Sequence, residues 1–371
     1  MHQKLLHRCR EGVYIPRRLL LQWHITERCN LRCSHCYQES YSGKELGLED
    51  LLELMAQFKD LLKFWRHEDK GHRVGGHITV TGGEPFVRPD FLALLEVFSA
   101  NSKHFSFAIL TNGSSIDAAM ARELRKLGPR FVQVSIEGAQ ATHDKIRGEG
   151  NFEHTVSALK HLVRERIRTF ISFTAHRGNF REFAEVARLG RRLRVSSVWA
   201  DRLIPWGTGS AMKELVLAPD ETQGFFEIMK RARKKATLFR NGRTEVAMHR
   251  ALQFLVGGGQ PYHCTAGDTL ITIQPNGDLY PCRRMPICVG NLMETNLFEL
   301  YYSSELLRAL RNRDLIGDGC RTCFYATLCR GGLKCLSYAL TGDPFQTDPG
   351  CWLASTEDQV ASLRVSIGSK L

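Results

Sequence analysis

The placement of the cysteines is the tightest constraint on this chain. Of twelve cysteines, three fall in the stretch Cys29-Asn30-Leu31-Arg32-Cys33-Ser34-His35-Cys36, eight fall between 264 and 351, and only Cys9 stands apart. Basic residues interrupt the early apolar stretches Leu5-Leu6 and Leu19-Leu20-Leu21, so no secretory signal is expected and the expected compartment is the cytoplasm. A cysteine-rich chain without such a signal argues against a disulfide framework and for metal. Thiolates are soft ligands, and iron–sulfur clusters are normally held by four of them. Three on one loop would leave one iron of a four-iron cluster open to a small molecule. The competing readings are a turn of free thiols and a zinc knuckle. The knuckle would need His35 as fourth ligand, and His35 lies between two of the cysteines, badly placed to close the same tetrahedron.

The rest of the N-terminal half alternates between two periodicities. Strand-like apolar runs at 18–26, 77–81, 105–110, 131–136, 168–174 and 198–203 alternate with helical spacing over 48–65, 91–99, 117–127, 152–163 and 180–193. Six strands alternating with helices predict an α/β fold with a parallel sheet. In such sheets functional residues gather at the C-terminal strand ends. The polar and glycine motifs fall there: Cys29 onward, Gly82-Gly83-Glu84-Pro85, Thr111-Asn112-Gly113, Ser135 to Gly138, and Arg202 to Gly209. Helices are expected at 219–235 and around 246–256, then a break at Gly257-Gly258-Gly259. Beyond it, 271–280 reads as a hairpin turning at Asn276-Gly277, followed by a helical stretch over 296–310.

Charge excludes little. Lys and Arg number 51 against 39 Asp and Glu, a formal net charge of +12. This permits acidic partners, but the densest run, 230–235, reads as one solvated helix face and not as a nucleic-acid surface. No apolar run reaches membrane-spanning length.

The three-cysteine spacing followed by the aromatic Tyr37 resembles the radical S-adenosylmethionine (SAM) enzymes, and Gly82-Gly83-Glu84-Pro85 matches the family's GGEP motif in the right order. The resemblance implies a partial (β/α)6 TIM-like barrel. Cys29, Cys33 and Cys36 would hold a [4Fe-4S] cluster whose open iron binds SAM. Reductive cleavage of SAM would yield a 5′-deoxyadenosyl radical that abstracts hydrogen from substrate. It further implies SAM contacts from Tyr37, from Gly82, Gly83, Glu84 and Pro85, with Glu84 at the ammonium, and from Ser135 and Arg147. For Arg147 the alternative is an ion pair with Asp144, and Asn112 either lines the site or caps its strand end. An electron donor such as flavodoxin or ferredoxin is implied as partner.

The C-terminal cysteines resemble the SPASM domain of peptide and cofactor maturases, which usually holds two auxiliary [4Fe-4S] clusters. By resemblance Cys320, Cys323, Cys329 and Cys351 hold the outer one, and Cys264, Cys282 and Cys335 the inner one, with His263 or Cys288 as candidates for its fourth ligand. Five residues separate Cys329 from Cys335 where the family usually has three. The implied organisation is an N-terminal extension (1–17), a radical SAM core (18–210), connecting helices (211–260), the SPASM domain (261–355) and a tail (356–371). Only seventeen residues precede the first strand, without the leader-binding domain of many peptide maturases. Arg283 stands where the sulfatase-maturating branch carries an aspartate.

Three functions are open at this point. The first is oxidative modification of a ribosomal peptide or protein by a thioether or carbon–carbon crosslink. The second is small-molecule cofactor assembly, such as tetrapyrrole side-chain modification, which the basic charge suits. The third is a non-enzymatic electron-transfer protein. No catalytic acid or base is identifiable; Arg202, Trp206 and Tyr325 are candidate pocket residues.

Overall fold

A computed structural model of the chain describes residues 14–68, 74–238 and 244–354. Cys9, most of the expected N-terminal extension and the expected C-terminal tail lie outside the described residues.

The chain opens with β1 (Arg18–His24), in which Leu19, Leu21 and Trp23 alternate onto one fully buried face. Next, α1 (Leu48–Glu68) buries Leu51, Leu54, Met55, Phe58, Leu61, Leu62 and Trp65, the stripe its helical spacing predicts. The alternation continues through β2 (Gly75–Thr81), α2 (Phe91–Ala100), β3 (Phe105–Thr111), α3 (Ala118–Leu127) and β4 (Val132–Ser135). Two helices, α4 (Gln140–Arg147) and α5 (Asn151–Arg164), lead to β5 (Thr169–Ala175), α6 (Phe183–Leu193), β6 (Ser197–Arg202) and α7 (Pro219–Leu238). Local chemistry sets the ends. In α3, for example, Asp117 caps the first turn by accepting from the Met120 N–H at 2.7 Å, and Gly128 closes the last turn at φ 72°.

Strands β1 to β6 lie side by side in chain order, all parallel. Right-handed crossovers in one direction put the helices on one face and the strand C-termini at one end. This is the barrel-type winding expected. Three features differ from what the sequence predicts. The helix expected around 246–256 is instead a seventh parallel strand, β7 (Glu245–Ala247), followed by a single turn, α8 (Phe254–Gly257). Pairing with β6 fixes the strand, and Leu252 at φ 67° interrupts the helical spacing of the apolar residues that follow. Second, the sheet does not stop at the glycine break. β8 (Leu270–Ile273) pairs parallel with β1 on its other side, and β9 (Asp278–Tyr280) and β10 (Gly290–Asn291) extend it antiparallel through the expected hairpin. The remaining helices are α9 (Leu297–Ser303), α10 (Glu305–Arg311), α11 (Ala326–Cys329) and α12 (Lys334–Thr341). The stretch expected as one helix over 296–310 is split at Ser304, whose hydroxyl accepts from the Leu307 N–H. No helix among the described residues is long and apolar enough to cross a membrane.

Candidate active site

The C-terminal ends of the parallel strands surround one cleft of about 1090 Å³, open mouth included. Cys29, Cys33 and Cys36, on the loop after β1, form part of its wall. This loop is held from behind by the turn after β2. The Gly83 N–H donates to the Thr26 carbonyl and the Glu84 N–H to the Arg28 carbonyl, each at 2.9 Å. A Cβ on Gly82 would stand 2.4 Å from the Thr26 carbonyl oxygen, and one on Gly83 2.3 Å from that of Arg28. Two backbones in such close approach leave no room for side chains, which is why the motif needs both glycines.

Gly82 and Gly83 line the cleft, whereas Glu84 and Pro85 do not. Pro85 opens a short 3-10 turn. The Glu84 side chain is fully buried and accepts from Thr111 Oγ1 and from the Asn112 N–H, both at 2.8 Å. Burial pushes its carboxyl up to about 7 against those hydrogen bonds, which pull it down. These bonds let the Glu84 carboxyl tie the end of β2 to the end of β3.

Tyr37, Asn112 and Ser135 line the same cleft. The Asn112 amide donates to Asn30 Oδ1 at 2.9 Å, linking the β3 end to the cysteine loop. Ser135 shares a 3.2 Å hydrogen bond with Ser172, and the Tyr37 ring lies edge-on to His24. Arg147 does not pair with Asp144, which instead accepts from the backbone of Gly150 and Phe152. Its guanidinium meets Glu137 at 2.6 Å and reaches the Cys33 sulfur at 3.7 Å. Glu137 also takes His35 Nε2 at 3.2 Å and the Thr174 N–H at 2.7 Å. Burial opposes its charge, but the Arg147 guanidinium and His35 outweigh that and hold the carboxyl far below the ordinary carboxylate range. His35 thus lines the cleft beside the cysteines with its Nε2 engaged by the Glu137 carboxylate.

The chemistry of this donor set fits an iron–sulfur cluster. Burial pushes the Cys29 thiol up to about 11 and the Cys33 thiol upward as well, so neither is charged without metal. The Leu31 N–H at 3.4 Å from the Cys29 sulfur, and Arg147 beside Cys33, supply hydrogen bonds and charge that favour iron-bound thiolates. Among the described residues no three His, Cys, Asp or Glu side chains are gathered as around a single metal ion.

The C-terminal cysteines form two further groups. Cys320, Cys323, Cys329 and Cys351 line a second, smaller cavity, together with Tyr325. Cys264, Cys282 and Cys335 sit in a separate buried apolar core, near enough that charge on one would raise the thiol pKa of the next. The long spacer before Cys335 is absorbed by Arg330, Gly331 and Gly332, three successive residues with φ of 58°, 85° and 75° that turn the chain back. Neither expected fourth ligand joins this group. Cys288 is exposed and donates to the Gly290 carbonyl, and His263 is exposed with its electrostatic neighbours Arg330 and Asp268.

Several cleft residues escaped the sequence reading. Arg283 and Arg284, immediately after Cys282, reach the cleft from the C-terminal segment. Asp201, at the end of β6, pairs with Arg284 at 2.7 Å. Arg202 does line the cleft, but is paired with Asp348. Trp206 stacks on Tyr338 instead of lining it. The available signals were position at a strand end for Glu137 and Asp201, and adjacency to Cys282 for the arginines.

Comparison with known proteins agrees with this geometry. Residues 23–190 match the model of the radical SAM superfamily, and 264–324 that of SPASM, an iron–sulfur cluster-binding domain. The AdoMet-dependent heme synthase of Methanosarcina barkeri is 28% identical over 347 residues, covering 90% of this chain and 95% of that protein. Mycofactocin maturase MftC of Mycobacterium tuberculosis is 29% identical over 380 residues, covering 97% and 89%. Among solved structures, Streptococcus suis SuiB bound to S-adenosylmethionine superposes with a TM-score of 0.73 at 15% identity, over 95% of this chain and 81% of that one. The cysteine loop at the strand ends, its glycine brace and the cysteine-rich C-terminal region together make this chain a radical SAM enzyme with a C-terminal SPASM region.

Proposed function

We propose that the enzyme abstracts hydrogen from a ribosomally made peptide or protein and joins two of its atoms in a thioether or carbon–carbon crosslink. The observation that carries this reading is the cleft itself, where three cysteines of one loop face residues from the ends of the other strands and from the segment after Cys282. When bound, the clusters supply one-electron chemistry, reductive cleavage of SAM at the open iron and electron uptake at the auxiliary sites. Cys29, Cys33 and Cys36 would hold the first, and the two C-terminal cysteine groups the others. Gly82 and Gly83 would let the backbone approach SAM, and Tyr37, Asn112 and Ser135, which line the same cleft, would border it. Arg147, engaged with Glu137, supports the charge at Cys33. The substrate loses one hydrogen as an atom to the deoxyadenosyl group, and a second as a proton with one electron. A flavodoxin or ferredoxin would supply the reducing electron.

A peptide substrate is supported by the likeness to mycofactocin maturase over 97% of the chain. Incubation of the reconstituted enzyme with SAM, dithionite and peptides encoded beside its gene tests the reading. The expected result is 5′-deoxyadenosine together with loss of two hydrogens' mass per crosslink. Unchanged peptide masses alongside 5′-deoxyadenosine would reject the peptide. Two observations favour a second substrate, a tetrapyrrole: the likeness to a heme synthase along 95% of that protein, and the arginines in the cleft wall.

A further inference from the structure

Four arginines border the cleft: Arg147, Arg202, Arg283 and Arg284. Three are neutralised by carboxylates, Arg147 by Glu137 at 2.6 Å, Arg202 by Asp348 at 2.5 Å and Arg284 by Asp201, itself in the cleft wall, at 2.7 Å. Arg283 has no carboxylate partner among the described residues, and its buried Nε has no hydrogen-bond partner. Its guanidinium stands 5.5 Å from the centre of the Tyr37 ring, a neighbour that offers a π-face and no negative charge. His24, beside Tyr37, gives no counter-charge: burial and the Arg283 charge together hold its imidazole down at about 3, so it is neutral. Arg283 is half-buried, and a guanidinium whose buried Nε–H is unpaired in a ligand cleft carries a cost that a ligand oxygen would remove. The planar fork fits a carboxylate by two parallel hydrogen bonds.

We propose that Arg283 is the anchor of a substrate carboxylate, placing an acidic group of the substrate against the Tyr37 edge of the cleft. This rests on the reading of the cleft as the substrate site. It extends that reading by assigning the substrate class as a carboxylic acid, whether a porphyrin carboxylate or an Asp or Glu of a peptide. The nearest rivals for the guanidinium are the SAM carboxylate and cluster thiolates at Cys36 and Cys282.

The test compares wild type, R283Q and R283K, each reconstituted and holding SAM. Two probe pairs are titrated: coproporphyrin III against its tetramethyl ester, and an Asp/Glu-bearing peptide against its Asn/Gln counterpart. Wild type is expected to favour the acid member of one pair by about tenfold or more, as a charge-assisted hydrogen bond warrants. R283Q should erase that preference and R283K, which keeps charge but not the fork, should retain part of it. The pair that responds identifies the source of the carboxylate. The proposal is overturned if wild type favours neither acid, or if R283Q weakens SAM binding as much as probe binding. It is equally overturned if R283Q and R283K both lose cluster iron, which would assign Arg283 to the thiolates. Absence of 5′-deoxyadenosine from wild type would reject the radical reading while leaving the binding preferences intact.

Discussion

Arg202 and Asp348, 146 residues apart in sequence, meet as a bidentate ion pair at 2.8 and 2.5 Å, almost wholly buried. Arg202 ends β6 at the cleft. Asp348 also accepts from the Leu333 and Gly350 N–H groups at 2.8 and 2.9 Å, and its carbonyl accepts from the Cys351 N–H. One pair thus joins the strand end to the turn that carries a cysteine of the outer group. Asp348→Asn leaves a buried guanidinium half-paired and should cost about 3–5 kcal/mol. Denaturant unfolding measures this. The double replacement R202M/D348N should recover part of the loss, and no recovery would mean that Asp348 acts through the turn alone.

A second prediction concerns acid. The Glu137 carboxyl titrates far below its unfolded value of about 4.3. A depressed carboxyl stabilises the fold fully above the unfolded value, and that stability is lost as pH falls through the folded value. The thermal midpoint of wild type should therefore drop on acidification below about pH 4.5. Glu137→Gln should lower the midpoint at neutral pH and flatten this acid branch. Parallel acid profiles for the two proteins would contradict the assignment.

The glycine brace yields a third test. Gly83→Ala forces a Cβ to within 2.3 Å of the Arg28 carbonyl oxygen unless the backbones part. Separation of the turn from the cysteine loop should cost on the order of 1–3 kcal/mol and weaken SAM binding. Equilibrium titration with SAM reads the effect. Alanine at Gly128, where nothing lies within 4 Å, meets only the strain of its left-handed φ of 72° and should leave SAM affinity intact.

Iron counting separates the cysteine groups. Replacing Cys29, Cys33 and Cys36 together should remove about four iron atoms per chain and all 5′-deoxyadenosine formation. The iron held by the C-terminal cysteines should stay. Replacing Cys320, Cys323, Cys329 and Cys351 should lower iron by a similar amount, with SAM binding retained. Equal iron in the first variant and wild type would exclude a cluster at the cleft.

What one sequence determines depends on the range of the forces involved. Cys29, Cys33 and Cys36 lie on one short loop, so their shared position follows from spacing alone. The strands and helices of the core follow from apolar periodicity, and Gly82-Gly83 announces a close backbone approach without naming what approaches. The region around Val246 misled because its apolar residues also suit a helix; pairing with β6 decided for a strand, and such pairing is a long-range contact. Long-range contacts likewise bring Arg283 and Arg284 to Tyr37 and Asp201 and commit Glu84 to Thr111 and Asn112, while the turn between β4 and α4 engages Arg147 with Glu137 instead of Asp144. The identity of the chemistry was local and therefore readable. The charge balance of the cleft was decided by which distant carboxylates reach which arginines, and only the folded chain sets those distances.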